Sequence, residues 1–133
     1  MYTTFYLSEA DQQSLRSIIE SDAYYPKPKA GQKSAIGKIL SSAEESHAIE
    51  DFQSHVGFND RVSLVSPLDS RDYFNLRIVM PEAADPDQDM ISVLLPVSLA
   101  ILGRRCGEKV FWEGSQGIRE MRIVAVTKWE MAA

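Results

Sequence analysis

The acidic stretch Asp85-Pro86-Asp87-Gln88-Asp89 spaces its carboxylates like the opening of a calcium loop, in which alternate oxygen ligands surround a hard cation. The match ends there: the sixth position holds Met90 in place of the turn glycine, and the twelfth holds Pro96 in place of a bidentate glutamate. An acidic turn is the expectation. His47 and His55 stand eight apart, share no helix face for ligation, and read as surface histidines. Cys106 follows two arginines that could lower a thiol pKa, but no histidine or second cysteine lies near it in sequence, so it reads as a packed or turn cysteine. No Gly-x-Ser-x-Gly nucleophile elbow and no glycine-rich phosphate loop occurs. The residues taken alone make no case for an enzyme, a metal or a cofactor. Two segments look instead like contact surfaces: the apolar corner Ile91-Ser92-Val93-Leu94-Leu95-Pro96, and the tip Tyr24-Tyr25-Pro26-Lys27-Pro28-Lys29. Prolines and aromatics on a loop lose little further entropy when a partner orders them.

The elements that must position these segments follow from periodicity. Ser8, with Asp11 three residues on, reads as a capping box in which the hydroxyl takes the Asp11 amide proton and the carboxylate reaches back. Leu15, Ile18 and Ile19 form one stripe of a first helix, which Pro26 and Pro28 stop near Asp22. A second helix follows Gly31 with the stripe Ala35, Ile36, Ile39, Leu40 and Ala43. Together they suggest a short antiparallel hairpin, since helices of about 13 residues reach only about 20 Å.

From Val56 the vocabulary changes to β-branched and aromatic runs bounded by Gly, Pro, Asn and Asp. Strands are expected at residues 61–65, 73–80, 91–94, 109–113 and 118–129. The last should set Met121, Ile123, Ala125 and Thr127 on one face and Arg122, Val124, Val126 and Lys128 on the other. One helix opens at Pro96 and closes at Gly103, a natural left-handed terminus. The fold class is therefore α+β: a short N-terminal helical hairpin over residues 1–50, then an antiparallel sheet domain with one helix over residues 56–133.

At 133 residues the chain suits one compact domain with an appendage. Its 44% hydrophobic and 25% charged content is globular, and no apolar run approaches the roughly 18 residues of a membrane span. The first seven residues lack a signal peptide's basic start, and a single cysteine suits a reducing compartment, so a cytoplasmic protein without a membrane partner is expected. The net charge of −5 repels phosphate backbones at long range and disfavours direct nucleic-acid binding. The charge is uneven: Lys27, Lys29, Lys33 and Lys38 crowd one segment, and Glu44, Glu45, Glu50 and Asp51 the next.

The run from the Ala84-Asp85-Pro86-Asp87 turn through Ile91-Ser92-Val93-Leu94-Leu95-Pro96 to Leu102-Gly103, then Gly107-Glu108-Lys109-Val110 and a hairpin bounded by Gly114 and Gly117, resembles the C-terminal domain of the Gre transcription elongation factors. Trp129 stands where an aromatic closes that family's last strand. The N-terminal half, with Thr4-Phe5-Tyr6-Leu7 and the Ala23-Tyr24-Tyr25-Pro26 break, looks most like the Rnk branch, the regulator of nucleoside diphosphate kinase.

The resemblance implies an FKBP-like sheet domain docked on the rim of the RNA polymerase secondary channel, with the hairpin directed toward the channel. Polymerase binding would fall to Ser92, Leu94, Leu95, Pro96, Val97 and Ser98, and the hairpin tip to Tyr24, Tyr25, Lys27 and Lys29. Cleavage factors of the family place an acidic residue and a serine before the corner proline, where this chain has Leu94 and Leu95. They also carry an acidic pair at the tip that holds a catalytic magnesium. Residues 23–31 contain no carboxylate here, and Glu20 and Asp22 are the nearest acids. The expectation is a non-catalytic polymerase-binding regulator that competes with cleavage factors and meets nucleic acid only through the polymerase. The alternatives are an active cleavage factor using Glu20 and Asp22, or an FKBP-type prolyl isomerase, the latter on fold analogy alone.

Overall fold

The computed structural model describes residues 5–21, 27–44, 46–115 and 117–129. Helix α1 spans Glu9–Glu20, and Ser8 caps it by accepting the Asp11 amide proton on its hydroxyl at 3.2 Å. The other half of the expected capping box is not made: the Asp11 carboxylate turns away from the helix and accepts the Phe58 amide proton at 3.4 Å. Helix α2 spans Ala30–Ser42, two residues earlier than a start after Gly31. It can start there because the Gln32 side chain accepts the Lys29 amide proton at 2.7 Å, supplying the cap that a lysine cannot. Leu15 and Ile18 of α1 and Ile36 and Ile39 of α2 are buried, as their spacing requires.

A third helix, α3 (Ile49–Ser54), was not foreseen from its acidic sequence. It forms because Asp51 is not solvated: the buried carboxylate accepts a hydrogen bond from the Ser46 hydroxyl. Directly after it, His55 pairs with Arg105 in a one-residue antiparallel bridge, while the Val56 amide donates to the Arg104 carbonyl at 2.9 Å. That pairing draws His55 inside to 1% exposure, against the expectation of a surface histidine, whereas His47 is exposed. The His55 Nδ1 lies 2.8 Å from the Asp51 carbonyl, and its ring meets Tyr6 edge-on.

Five strands follow: β1 (Arg61–Val65), β2 (Tyr73–Val79), β3 (Met90–Ser92), β4 (Lys109–Gly114) and β5 (Gly117–Thr127), in the order β3-β2-β1-β5-β4. All pairs are antiparallel except β2–β3, which is parallel, a correction to the fully antiparallel expectation. The cause is the connection: two 3-10 turns, Pro81–Ala83 and Pro86–Gln88, carry the chain back along β2 so that β3 enters in the same direction. These turns hold the acidic stretch, in which Gln88 donates to Asp85 Oδ2 at 2.8 Å.

The register of β5 slips opposite Ser63 and Leu64, which pair with Ala125 and Ile123, leaving Val124 as a bulge. Inward and outward faces exchange at that residue. Met121 and Ile123 are buried as expected, but beyond the bulge Ala125 and Thr127 are exposed, Val126 is half-buried, and Lys128 is turned into the interior.

Helix α4 (Pro96–Ile101) packs against β4 and ends at Leu102, after which Gly103 takes φ +82°. Gly103 also touches the Phe5 ring so closely that a Cβ would stand 2.5 Å from it. The N-terminal segment threads this gap. Tyr6 donates its amide proton to the Gly103 carbonyl at 3.0 Å, and Glu44 donates to the Phe5 carbonyl at 3.1 Å. Leu15, Ile18, Ile36 and Ile39 from the hairpin consequently belong to the same hydrophobic core as Leu64, Ile78, Met121 and Ile123 from the sheet. No helix among the described residues is long and apolar enough to cross a membrane.

Candidate functional site

The strand-to-helix corner is held by its own polar groups. Ser92 ends β3; its hydroxyl accepts the Leu94 amide proton at 3.1 Å, and its carbonyl accepts both the Leu95 amide at 3.1 Å and the Ser98 hydroxyl at 2.7 Å. Pro96 opens α4, where a missing amide proton costs nothing. This divides the six expected contact residues into two sets. Ser92 and Ser98 fix the turn, and Ser98 is fully buried. Leu94 points into the core at 6% exposure, because the turn breaks the strand alternation and sends Val93 and Leu94 inward together. Leu95, at 45% exposure, and Pro96 face solvent, and Val97 is half-buried beside them. The corner therefore offers an apolar ridge of Leu95, Pro96 and Val97 on a turn fixed by Ser92 and Ser98.

The hairpin meets this corner. Gln32, whose amide oxygen caps α2, donates its Nε2 proton to the Leu94 carbonyl at 3.0 Å. One side-chain amide thus separates the Lys29 backbone from the corner. Lys27 and Lys29 are exposed. Tyr24, Tyr25 and Asp22 lie outside the described residues, and Glu20 is exposed at the end of α1. Among the described residues, no group of three or more His, Cys, Asp or Glu side chains could hold a metal ion.

A second polar cluster joins the hairpin to the sheet. The Lys128 ammonium, brought inward by the bulge, donates to Asp60 and to the His55 carbonyl at 3.0 Å and lies 4.4 Å above the Phe52 ring. Asp60 also accepts the Gly57 amide at 2.7 Å and the Trp129 amide at 3.1 Å. Asp11 completes the cluster from α1. Burial pushes its carboxyl up to about 6, with Lys128 opposing the shift and Asp60 adding to it. Burial also raises the Tyr6 hydroxyl, helped by Asp11 and Asp51. Sequence reading missed this cluster, since its one signal, a lysine inside an apolar strand, points outward until the bulge is known. Outside the core, Arg77 stacks its guanidinium over the exposed Trp129 ring, 5.1 Å from its centroid.

Residues 52–128 match the family model described as "Transcription elongation factor, GreA/GreB, C-term". The transcription elongation factor GreA of Thermotoga sp. (strain RQ2) is 31% identical over 96 residues, covering 68% of this chain. The chain spans 57% of that relative's length. Among solved structures, the prokaryotic transcription elongation factor GreA/GreB from Nitrosomonas europaea superposes with a TM-score of 0.73 at 25% identity, over 96% of this chain and all of that one. The GreA factor homolog 1 protein of Thermus thermophilus gives 0.51 at 24% identity over 90% and 84%, a likeness of fold alone.

Proposed function

The chain belongs to the GreA/GreB family of transcription elongation factors, and from that membership we propose that it is a non-catalytic regulator of RNA polymerase, docking at the rim of the secondary channel and competing there with cleavage factors. The observation that carries this reading is the corner: Leu95 and Pro96 are exposed and Val97 half-buried beside them, an apolar ridge on a turn that Ser92 and Ser98 hold in place. Such a ridge gains affinity by burial of apolar surface. The proline of the family's docking corner is retained, and the acidic residue and serine before it are replaced by Leu94, which serves the core, and Leu95, which serves the contact.

The absence of cleavage activity rests on charge and reach. Two-metal hydrolysis needs carboxylates that hold a divalent ion. The segment from Ala23 to Gly31 contains lysines and no acid. Helices of 12 and 13 residues extend only about 20 Å, and their apolar stripes are committed to the core shared with the sheet. The short hairpin also supports placing the chain near the Rnk branch. Retention of the full chain by core RNA polymerase tests the docking reading: wild type should be retained and Leu95→Asp released, and equal retention of the two places the contact elsewhere.

A further inference from the structure

We infer that the lysines beyond the hairpin tip and the apolar corner form one docking surface, whose partner on the polymerase is an apolar strip flanked by carboxylates. The inference rests on the corner being the dock and goes beyond it, because it assigns these lysines to the rim.

The bridge is Gln32. Its amide oxygen accepts from the Lys29 backbone and its amide nitrogen donates to the Leu94 carbonyl, so both ends of one planar group are used, one on each side of the surface. This ties the start of α2 to the residue immediately before the exposed Leu95. A hairpin free to project would have no use for that second bond.

The charges beside it are unbalanced in a way that folding alone does not favour. Lys29, the residue that precedes α2, and Lys33, in its first turns, lie four positions apart and add like charge at one helix end. They crowd the helix end where cations are least welcome, and the first turn carries no acidic residue to offset them. Lys27, Lys29 and Lys33 are exposed and form no ion pair with any described residue. In a chain of net charge −5 this is a local positive patch against a negative background. Approach to an acidic partner would therefore turn these lysines and the corner forward together, the ridge supplying burial and the lysines orientation and rate.

The test measures binding of the full chain to core RNA polymerase, both free of nucleic acid and carrying it, as a function of salt, for wild type, Leu95→Asp, the Lys27→Glu/Lys29→Glu pair and Gln32→Ala. Wild-type affinity should fall with salt. The lysine reversal should lose at least tenfold at low salt and flatten the salt dependence. Leu95→Asp should lose at every salt concentration. Gln32→Ala should bind several-fold more weakly while both contact sets remain intact. A loss with Leu95→Asp but none with the lysine pair overturns the shared surface and leaves the corner as the dock. A loss with the lysine pair but none with Leu95→Asp, or no wild-type binding, overturns the corner reading and the shared surface with it. Lysine dependence that appears only when nucleic acid is present overturns the carboxylate partner in favour of phosphate.

Discussion

Asp60 and Lys128, 68 positions apart, form an ion pair in which the two side chains are only 3% and 7% exposed. Breaking such a pair by removing one partner costs about 3–5 kcal/mol, because the other charge stays buried without compensation. Asp60 additionally receives the Gly57 and Trp129 amides, whereas Lys128 has the His55 carbonyl and the Phe52 ring besides, with the Asp11 carboxyl nearby. Asp60→Ala should therefore destabilise more than Lys128→Met. Urea denaturation at pH 7 measures the order, and the reverse order would contradict this account of the cluster.

Asp11 gives the fold a pH dependence of defined sign. Its carboxyl titrates near 6 in the folded chain and near 3.8 when free, so the folded state holds the proton more tightly. The favourable contribution is complete below about pH 4, is lost as pH rises to about 6, and is absent above that. At 1.36 kcal/mol per unit it amounts to no more than about 3 kcal/mol. Asp11→Asn keeps the size and cannot ionise. It should be more stable than wild type at pH 7, and the two stability profiles should converge toward pH 4; parallel profiles would remove Asp11 as the titrating group.

The extent to which sequence revealed this fold depended on whether each signal was local. The Ser8 cap, the Leu15–Ile18 and Ile36–Ile39 stripes, β1 and the left-handed Gly103 are written in neighbouring residues, and all are in place. What escaped depends on partners far along the chain. The direction of β3 is set by the 3-10 turns, and the inward turn of Lys128 by a bulge whose existence depends on β1. The burial of His55 follows from its pairing with Arg105. The same division runs through the candidate site: the corner could be read as a motif, but the burial of Leu94 beside an exposed Leu95, and the reach of Gln32 across 62 positions, are tertiary facts.

Gly103 should be intolerant of any side chain. A residue with a Cβ at φ +82° pays about 1–2 kcal/mol in backbone strain, and here the added carbon would overlap the Phe5 ring. Gly103→Ala should cost about 3 kcal/mol in total, a typical overpacking penalty included. Adding Phe5→Leu should recover part of the loss. Urea unfolding of the three variants measures this, and strictly additive losses would mean that the ring contact is not the cause.

Leu94 and Leu95 are adjacent yet should behave oppositely. Leu94→Ala removes a core side chain and should cost about 2–5 kcal/mol. Leu95→Ala, on the surface, should stay within about 0.5 kcal/mol of wild type. Thermal unfolding distinguishes them, and equal losses would contradict the assignment of one leucine to the core and the other to the contact.

The most direct measurement is made on a backtracked RNA polymerase elongation complex with a labelled transcript. With the protein alone, the transcript should keep its 3′ end. With an authentic cleavage factor added after it, cleavage should slow in proportion to the protein's concentration. Shortened transcripts produced by the protein alone, and abolished by Glu20→Ala with Asp22→Ala, would contradict the account and make the chain a cleavage factor.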